Sequence, residues 1–343
     1  MKRLLTNKDG NYRDHHKKVG LASVIPLSTP YLVYIDPASF CNIKCNFCFH
    51  SLNDNLLREK GFRPEIMKYE LFVKIADRFK EFPDKVKSLK FCGLGEPLLN
   101  KRLPEMIAYT KKQNIANRIV LVTNGTLLTP ELSLKLIEAG LDDLLVSVEG
   151  VSAQKYYDIA GIHIDYDKFL DGIRHFYKNK SDCKVYIKLA HTGLDGCGES
   201  GFHDIFDAIS DTAYVEYLTK IYQGVDYSDI IEDTSINQIG ERVPKRVEVC
   251  FLPFNNLTIN AFGKVSPCIF DYKENIVVGD VNTGSLVDIW NSKKLNEFRY
   301  MHLKKERNKH EDCSICEWLS ICGDSIYENI IDDDADKLTK YFE

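Results

Sequence analysis

Three cysteines, Cys41, Cys45 and Cys48, carry the spacing C-x3-C-x2-C. The chain has eleven cysteines in all. In a reducing compartment thiols in such number serve as metal ligands or reactive groups rather than disulfides. Three thiolates on a cubane iron–sulfur cluster leave one iron with open coordination, able to bind and activate a small molecule. A structural zinc site is normally closed by a fourth ligand, and His50 is near enough in sequence to supply one. A second set lies downstream: Cys250 and Cys268 bracket a hairpin signal, and Cys313, Cys316 and Cys322 follow as C-x2-C-x5-C. Five thiols suffice for one four-ligand cluster, not for two. Zinc would accept the same ligands.

The elements that must position these residues alternate. Apolar runs at Tyr31 to Ile35, Ser88 to Cys92, Ile119 to Thr123, Leu144 to Val148, Val185 to Leu189 and Tyr214 to Leu218 read as six strands. Helical patterns separate them: Lys68 to Phe82, Leu103 to Gln113, Thr129 to Gly140, Tyr166 to Tyr177 and Phe202 to Ser210. Thr129 before Pro130 is a capping signal, and Gly140 a C-terminal stop. Six strands with crossovers predict an α/β fold, a partial (β/α)6 barrel of parallel strands. Ligands in such folds sit at the C-terminal strand ends, where the first cysteine loop falls. The expected organisation is an N-terminal extension (1–30), a barrel (31–225), a polar linker or cap (226–249) and a small C-terminal hairpin and helix iron–sulfur domain (250–330). An acidic tail (331–343) reads as solvated. Leu286 to Phe298 resembles one amphipathic helix.

The first cysteine loop resembles that of the radical S-adenosylmethionine enzymes, whose CxxxCxΦC motif has an aromatic residue before the last cysteine, here Phe47. Gly93, Leu94, Gly95, Glu96 and Pro97 match the GGEP motif of that family with Leu94 inserted. Thr123 and Asn124 follow the third strand, and Ser147 and Glu149 end the fourth, where the family places ribose-binding polar residues. The resemblance covers roughly residues 31 to 222. It implies a [4Fe-4S] cluster with an open iron, held by Cys41, Cys45 and Cys48, and bound S-adenosylmethionine. Gly93 and Gly95 would let the backbone approach the methionine part, and Glu96 would accept from its ammonium group. Phe47 would wall the adenine, and Ser147, Glu149 and Lys188 would serve the cofactor. The C-terminal cysteines resemble the SPASM and twitch extensions, which implies one auxiliary [4Fe-4S] cluster on Cys250, Cys268, Cys313 and Cys316, with Cys322 spare or replacing one of them.

The implied chemistry is reductive cleavage of S-adenosylmethionine to a 5′-deoxyadenosyl radical that abstracts a substrate hydrogen, with the electron coming from a reductase or a flavodoxin or ferredoxin. The truncated cysteine set favours dehydrogenation or epimerisation at a carbinol carbon of a sugar, sugar nucleotide or aminocyclitol, the auxiliary cluster taking an electron. Lys188, His191, Lys220 and Tyr222 are the candidate bases, and Cys197 a candidate hydrogen-atom donor. The alternative is a maturase of a ribosomally made peptide. Many of these carry a peptide-binding domain of roughly 80 residues, a size that needs its own core, and that does not fit ahead of Cys41. Lys plus Arg total 45 against 50 Asp plus Glu, a balance of −5 that argues against a nucleic-acid partner. The start of the chain turns polar at once, unlike a signal peptide, and no apolar run approaches the ~18–20 residues that span a bilayer, so a cytoplasmic, carbohydrate-processing protein is expected. If both clusters form, an anaerobically reconstituted sample binds about eight irons per chain; elemental analysis returning about four would remove the auxiliary cluster.

Overall fold

The computed structural model describes residues 20–231, 233–242, 247–321 and 329–343. Cys322 lies outside them. The strands β1 (Leu32–Ile35), β2 (Val86–Phe91), β3 (Ala116–Thr123), β4 (Asp143–Val148), β5 (Lys184–Ala190) and β6 (Thr212–Glu216) are parallel neighbours in that order. Their apolar runs are buried because helices cover the outer face, as parallel sheets require. Helices Tyr69–Arg78, Leu103–Gln113, Pro130–Glu138 and Tyr166–Asn179 supply that cover. The Thr129 hydroxyl accepts from Leu132 N at 3.2 Å. Gly140 takes φ +85° after the helix, the left-handed turn that favours glycine.

The C-terminal hairpin is joined to the barrel rather than standing apart. Strand β7 (Asn256–Ile259) pairs parallel with β1, Leu32 opposite Asn256 and Ile35 opposite Ile259. Strands β8 (Lys264–Ser266) and β9 (Gly279–Asp280) continue antiparallel, giving one nine-stranded sheet in the order β6-β5-β4-β3-β2-β1-β7-β8-β9.

Two expectations need correction. The single helix expected over Leu286 to Phe298 is two, Leu286–Trp290 and Lys293–Leu303. Ser292 caps the second by accepting from Leu295 N at 3.2 Å. The acidic tail is anchored, not solvated. Asp332 is buried and accepts from Glu248 N at 2.7 Å and Val249 N at 3.4 Å. From the N-terminal extension, Leu21 and Ile25 enter a second core with Val249, Phe254, Leu338 and Phe342.

Asp332 thus ties the tail to the segment just before Cys250. Asp332→Ala leaves these amides unpaired and costs roughly 1–3 kcal/mol. The expected readout is a melting temperature lower by several degrees, with faster hydrogen exchange at Val249; an unchanged melting temperature would show that the tail contributes nothing.

Candidate active site: two cysteine centres on one sheet

Cys41, Cys45 and Cys48 occupy the loop that leaves the C-terminal end of β1. Cys45 is buried and the other two are half-buried. Burial pushes the Cys41 thiol up to about 11 and Cys48 up to about 12. Cys45 rises further, through burial, then the Glu149 carboxyl, then the two other thiols. These thiols therefore lie within electrostatic reach of one another, in a place where bare thiolates are disfavoured and iron would relieve the penalty. The His50 Nε2 lies 2.6 Å from Leu94 O and so carries the proton, and its ring stacks on Phe49 at 4.3 Å.

The loops after β2 and β3 are clasped to the cysteine loop. A Cβ on Gly95 would lie 2.1 Å from Phe40 O and 2.3 Å from Ala38 O, and one on Gly93 would meet the Asp36 side chain at 2.5 Å. Glycine is needed here so that one loop can lie on the other, and Glu96 N donates to Phe40 O at 2.7 Å. Glu96 is buried beside Pro97. Its carboxylate accepts from Thr123 Oγ1 at 2.6 Å, Leu98 N at 2.9 Å and Asn124 N at 2.8 Å. Asn124 Nδ2 donates to Asn42 Oδ1 at 2.9 Å and stands 4.0 Å from Cys41 Sγ. Asn42 was not foreseen; only its place within the cysteine motif pointed to it.

The ends of β4 to β6 form the remaining rim. Ser147 sits opposite Lys188 in register. Glu149, one residue past β4, is buried with its carboxyl on the Cys45 thiol. Burial pushes it up to about 7 against the pull of Lys188. Burial opposes the charge on Lys188, but Glu216 at 2.6 Å more than offsets it, and the ammonium is held. Glu216 was missed because it reads as an ordinary strand-end residue. His191 stacks on Tyr217 at 4.8 Å. Cys197 is exposed at the start of helix Gly198–Phe206.

The second centre is a cavity of about 550 Å3 walled by Cys250, Cys268, Cys313 and Cys316, with Lys220 and Tyr222 on the same wall. His191 and Cys197 are not on it. Burial pushes Cys313 up to about 12 and Cys268 well above its usual value, with Cys250 and Cys316 adding to the latter. Lys220 Nζ lies 3.2 Å from Glu317. Tyr222 is held between the centres: Phe49 packs on it at 5.0 Å and Phe270 at 6.1 Å. Tyr227 from the polar linker accepts from Tyr222 N at 3.1 Å and donates to Phe47 O at 3.0 Å. A polar clasp, also unforeseen, closes one side. Lys273 reaches Asp312 at 2.9 Å and also meets Gln223, and Asn275 Nδ2 donates to Asp312 at 2.8 Å.

The site thus sets a three-cysteine loop at the C-terminal end of the first parallel strand beside a cavity lined by four further thiols. The radical SAM superfamily model matches residues 35–209, and that of the SPASM iron–sulfur cluster-binding domain matches residues 250–317. The chain belongs to the radical SAM superfamily. It is 27% identical over 333 residues to a tungsten-containing aldehyde ferredoxin oxidoreductase cofactor-modifying protein of Pyrococcus furiosus, covering 82% of this chain and 87% of that one. It is 22% identical over 309 residues to the S-adenosyl-L-methionine-dependent 2-deoxy-scyllo-inosamine dehydrogenase of Niallia circulans, covering 88% and 98%. Its fold is shared by BtrN in complex with AdoMet and 2-DOIA (TM-score 0.54, 21% identity, covering 87% and 97%). Streptococcus suis SuiB bound to precursor peptide SuiA shares it too (TM-score 0.58, 18% identity, covering 91% and 75%).

Membership brings a [4Fe-4S] cluster and S-adenosylmethionine, and the SPASM domain brings auxiliary iron–sulfur binding. The residues fit these groups by their chemistry: thiols are the donors iron–sulfur clusters take, none of the seven is in a disulfide, and all are at least half-buried. Gly95→Ala is expected to displace the first cysteine loop and remove about four irons per chain, leaving the auxiliary centre loaded. Full iron content in that variant would show that the clasp does not position the loop.

Proposed function

We propose that the chain oxidises or epimerises a carbinol carbon of a sugar, sugar nucleotide or aminocyclitol. The observation that carries this reading is the shared wall of the second cavity, where Lys220 and Tyr222 stand with Cys250, Cys268, Cys313 and Cys316. When bound, the cofactors supply hydrogen-atom abstraction and one-electron acceptance. The chain must supply the proton acceptor and exclude water. Lys220 and Glu317 act as a pair: the Lys220 nitrogen takes the carbinol proton as the proton it holds passes to the Glu317 carboxylate beside it. Tyr222, held protonated by burial, keeps an apolar body between the two cysteine sets and a hydroxyl able to donate. Loss of a hydrogen atom, a proton and an electron leaves the carbonyl. Return of a hydrogen atom to the opposite face instead gives the epimer.

Cys41, Cys45 and Cys48 hold the first cluster in this reading, and Cys250, Cys268, Cys313 and Cys316 the auxiliary one. Glu96, Thr123, Asn124, Ser147, Glu149 and Lys188 line the S-adenosylmethionine site. The relative from Niallia circulans, named as a dehydrogenase of an aminocyclitol, supports the substrate class because the match runs through 98% of its length. The electron comes from a flavodoxin- or ferredoxin-type partner in the cytoplasm. Among the described residues no helix is long and apolar enough to cross a membrane.

The test is anaerobic incubation with S-adenosylmethionine and dithionite across sugars, aminocyclitols and short peptides. Carbohydrate-dependent 5′-deoxyadenosine with a matching carbonyl or epimeric product is expected, and both vanish in Cys45→Ala. Lys220→Gln should keep deoxyadenosine formation and lower product formation by about 10²-fold or more. Deoxyadenosine released only with peptides would replace the carbohydrate reading with a maturase.

A further inference from the structure

His302 lies near the end of helix Lys293–Leu303 and is only 2% exposed. Among the described residues neither of its ring nitrogens has a hydrogen-bond partner. Its nearest rings are apolar or aromatic: Phe298 packs edge-on at 4.8 Å, and Phe298 also meets His310 at 5.6 Å. A buried imidazole always carries at least one N–H, and leaving it unpaired incurs its full desolvation penalty. Buried polar groups in folded proteins are almost always satisfied, so an orphaned histidine marks a missing partner. The location of His302 says which partner: it stands on the wall of the same cavity as Cys250, Cys268, Cys313 and Cys316. Arg307, four residues beyond the helix, donates to Cys316 O at 3.1 Å and ties that cysteine's backbone to this wall.

Cluster sulfides and cysteinate sulfurs accept hydrogen bonds and donate none. Four thiols already complete the coordination of a cubane, so the imidazole has no iron left to ligate. We propose that His302 donates an N–H hydrogen bond to a sulfur of the auxiliary cluster and thereby holds its reduction potential up. The reason is electrostatic: the reduced cluster is the more negative state, and a donor aimed at its sulfurs stabilises that state selectively. His302 thus helps to make the auxiliary centre an electron acceptor. This rests on the reading that Cys250, Cys268, Cys313 and Cys316 hold that cluster.

The experiment uses the full chain carrying Cys41→Ala, Cys45→Ala and Cys48→Ala, so that only the auxiliary cluster remains, reconstituted with iron and sulfide. The potential is read by redox titration followed by electron paramagnetic resonance, and the nitrogen contact by electron spin-echo modulation. His302→Leu is expected to keep about four irons per chain, move the midpoint to a more negative potential and erase a weak histidine nitrogen modulation. His302→Gln, which restores an N–H donor, should recover part of the shift. If His302→Leu fails to load iron, His302→Gln decides: a midpoint below that of the parent, with the histidine nitrogen modulation gone, supports the bond. A midpoint unchanged in both variants, or a strong coupling typical of direct iron–nitrogen ligation in the parent, overturns it. A parent that takes up no iron at all would overturn the four-cysteine reading first, and this inference with it.

Discussion

Strand β1 is hydrogen-bonded along both edges, to β2 on one side and β7 on the other, and the placing of both cysteine sets depends on that sharing. Asp36 N, the first amide past β1, still donates to Ile259 O at 2.9 Å, and Cys92 N, past β2, to Ile35 O at 3.0 Å. The three strands therefore finish level. The first cysteine loop springs from the middle one, the glycine-rich loop from one neighbour, and the auxiliary hairpin is built on the other. Parallel pairing levels the C-terminal ends, while Cys250, before β7, and Cys268, just after the antiparallel β8, lie toward the other end of that short strand.

Within this frame aromatic rings stand between the two centres. Phe49 contacts Phe62, Tyr222 and Tyr272 at about the same range, 5.1, 5.0 and 4.8 Å. Tyr227 pins the backbone on both sides of the gap. The Cys48 and Cys268 thiols are both raised by burial. A low-dielectric wall strengthens every charge interaction across it, which suits chemistry in which single electrons and radicals must be kept from solvent.

The barrel was legible because its strands are apolar runs and its site residues fall at their ends. The cysteine spacings were legible for the same reason: local signals report local chemistry. The joining of β7 to β1 was not, since the four residues Asn256–Ile259 advertise a hairpin but carry no information about a second partner. The break at Ser292 was hidden because apolar spacing runs through it, and only the serine followed by Leu295 marks a new cap. Asp332 read as part of a solvated run because charge composition cannot show that two backbone amides wait for one carboxylate. His302 was invisible for a different reason. A histidine on a helix face has the same letter whether its nitrogens are satisfied or not, and that distinction exists only once the cavity beside it has formed.

The second core joins Leu21 and Ile25 to Leu338 and Phe342, and Cys250 and Cys316 pack against it. Such a core has an order of assembly written into it. The six parallel strands are complete once Glu216 has been synthesised, whereas the β7 edge of β1 and the packing behind the auxiliary cysteines need segments made later, up to Phe342. Neither cysteine set is therefore fully framed until the far-apart segments have met.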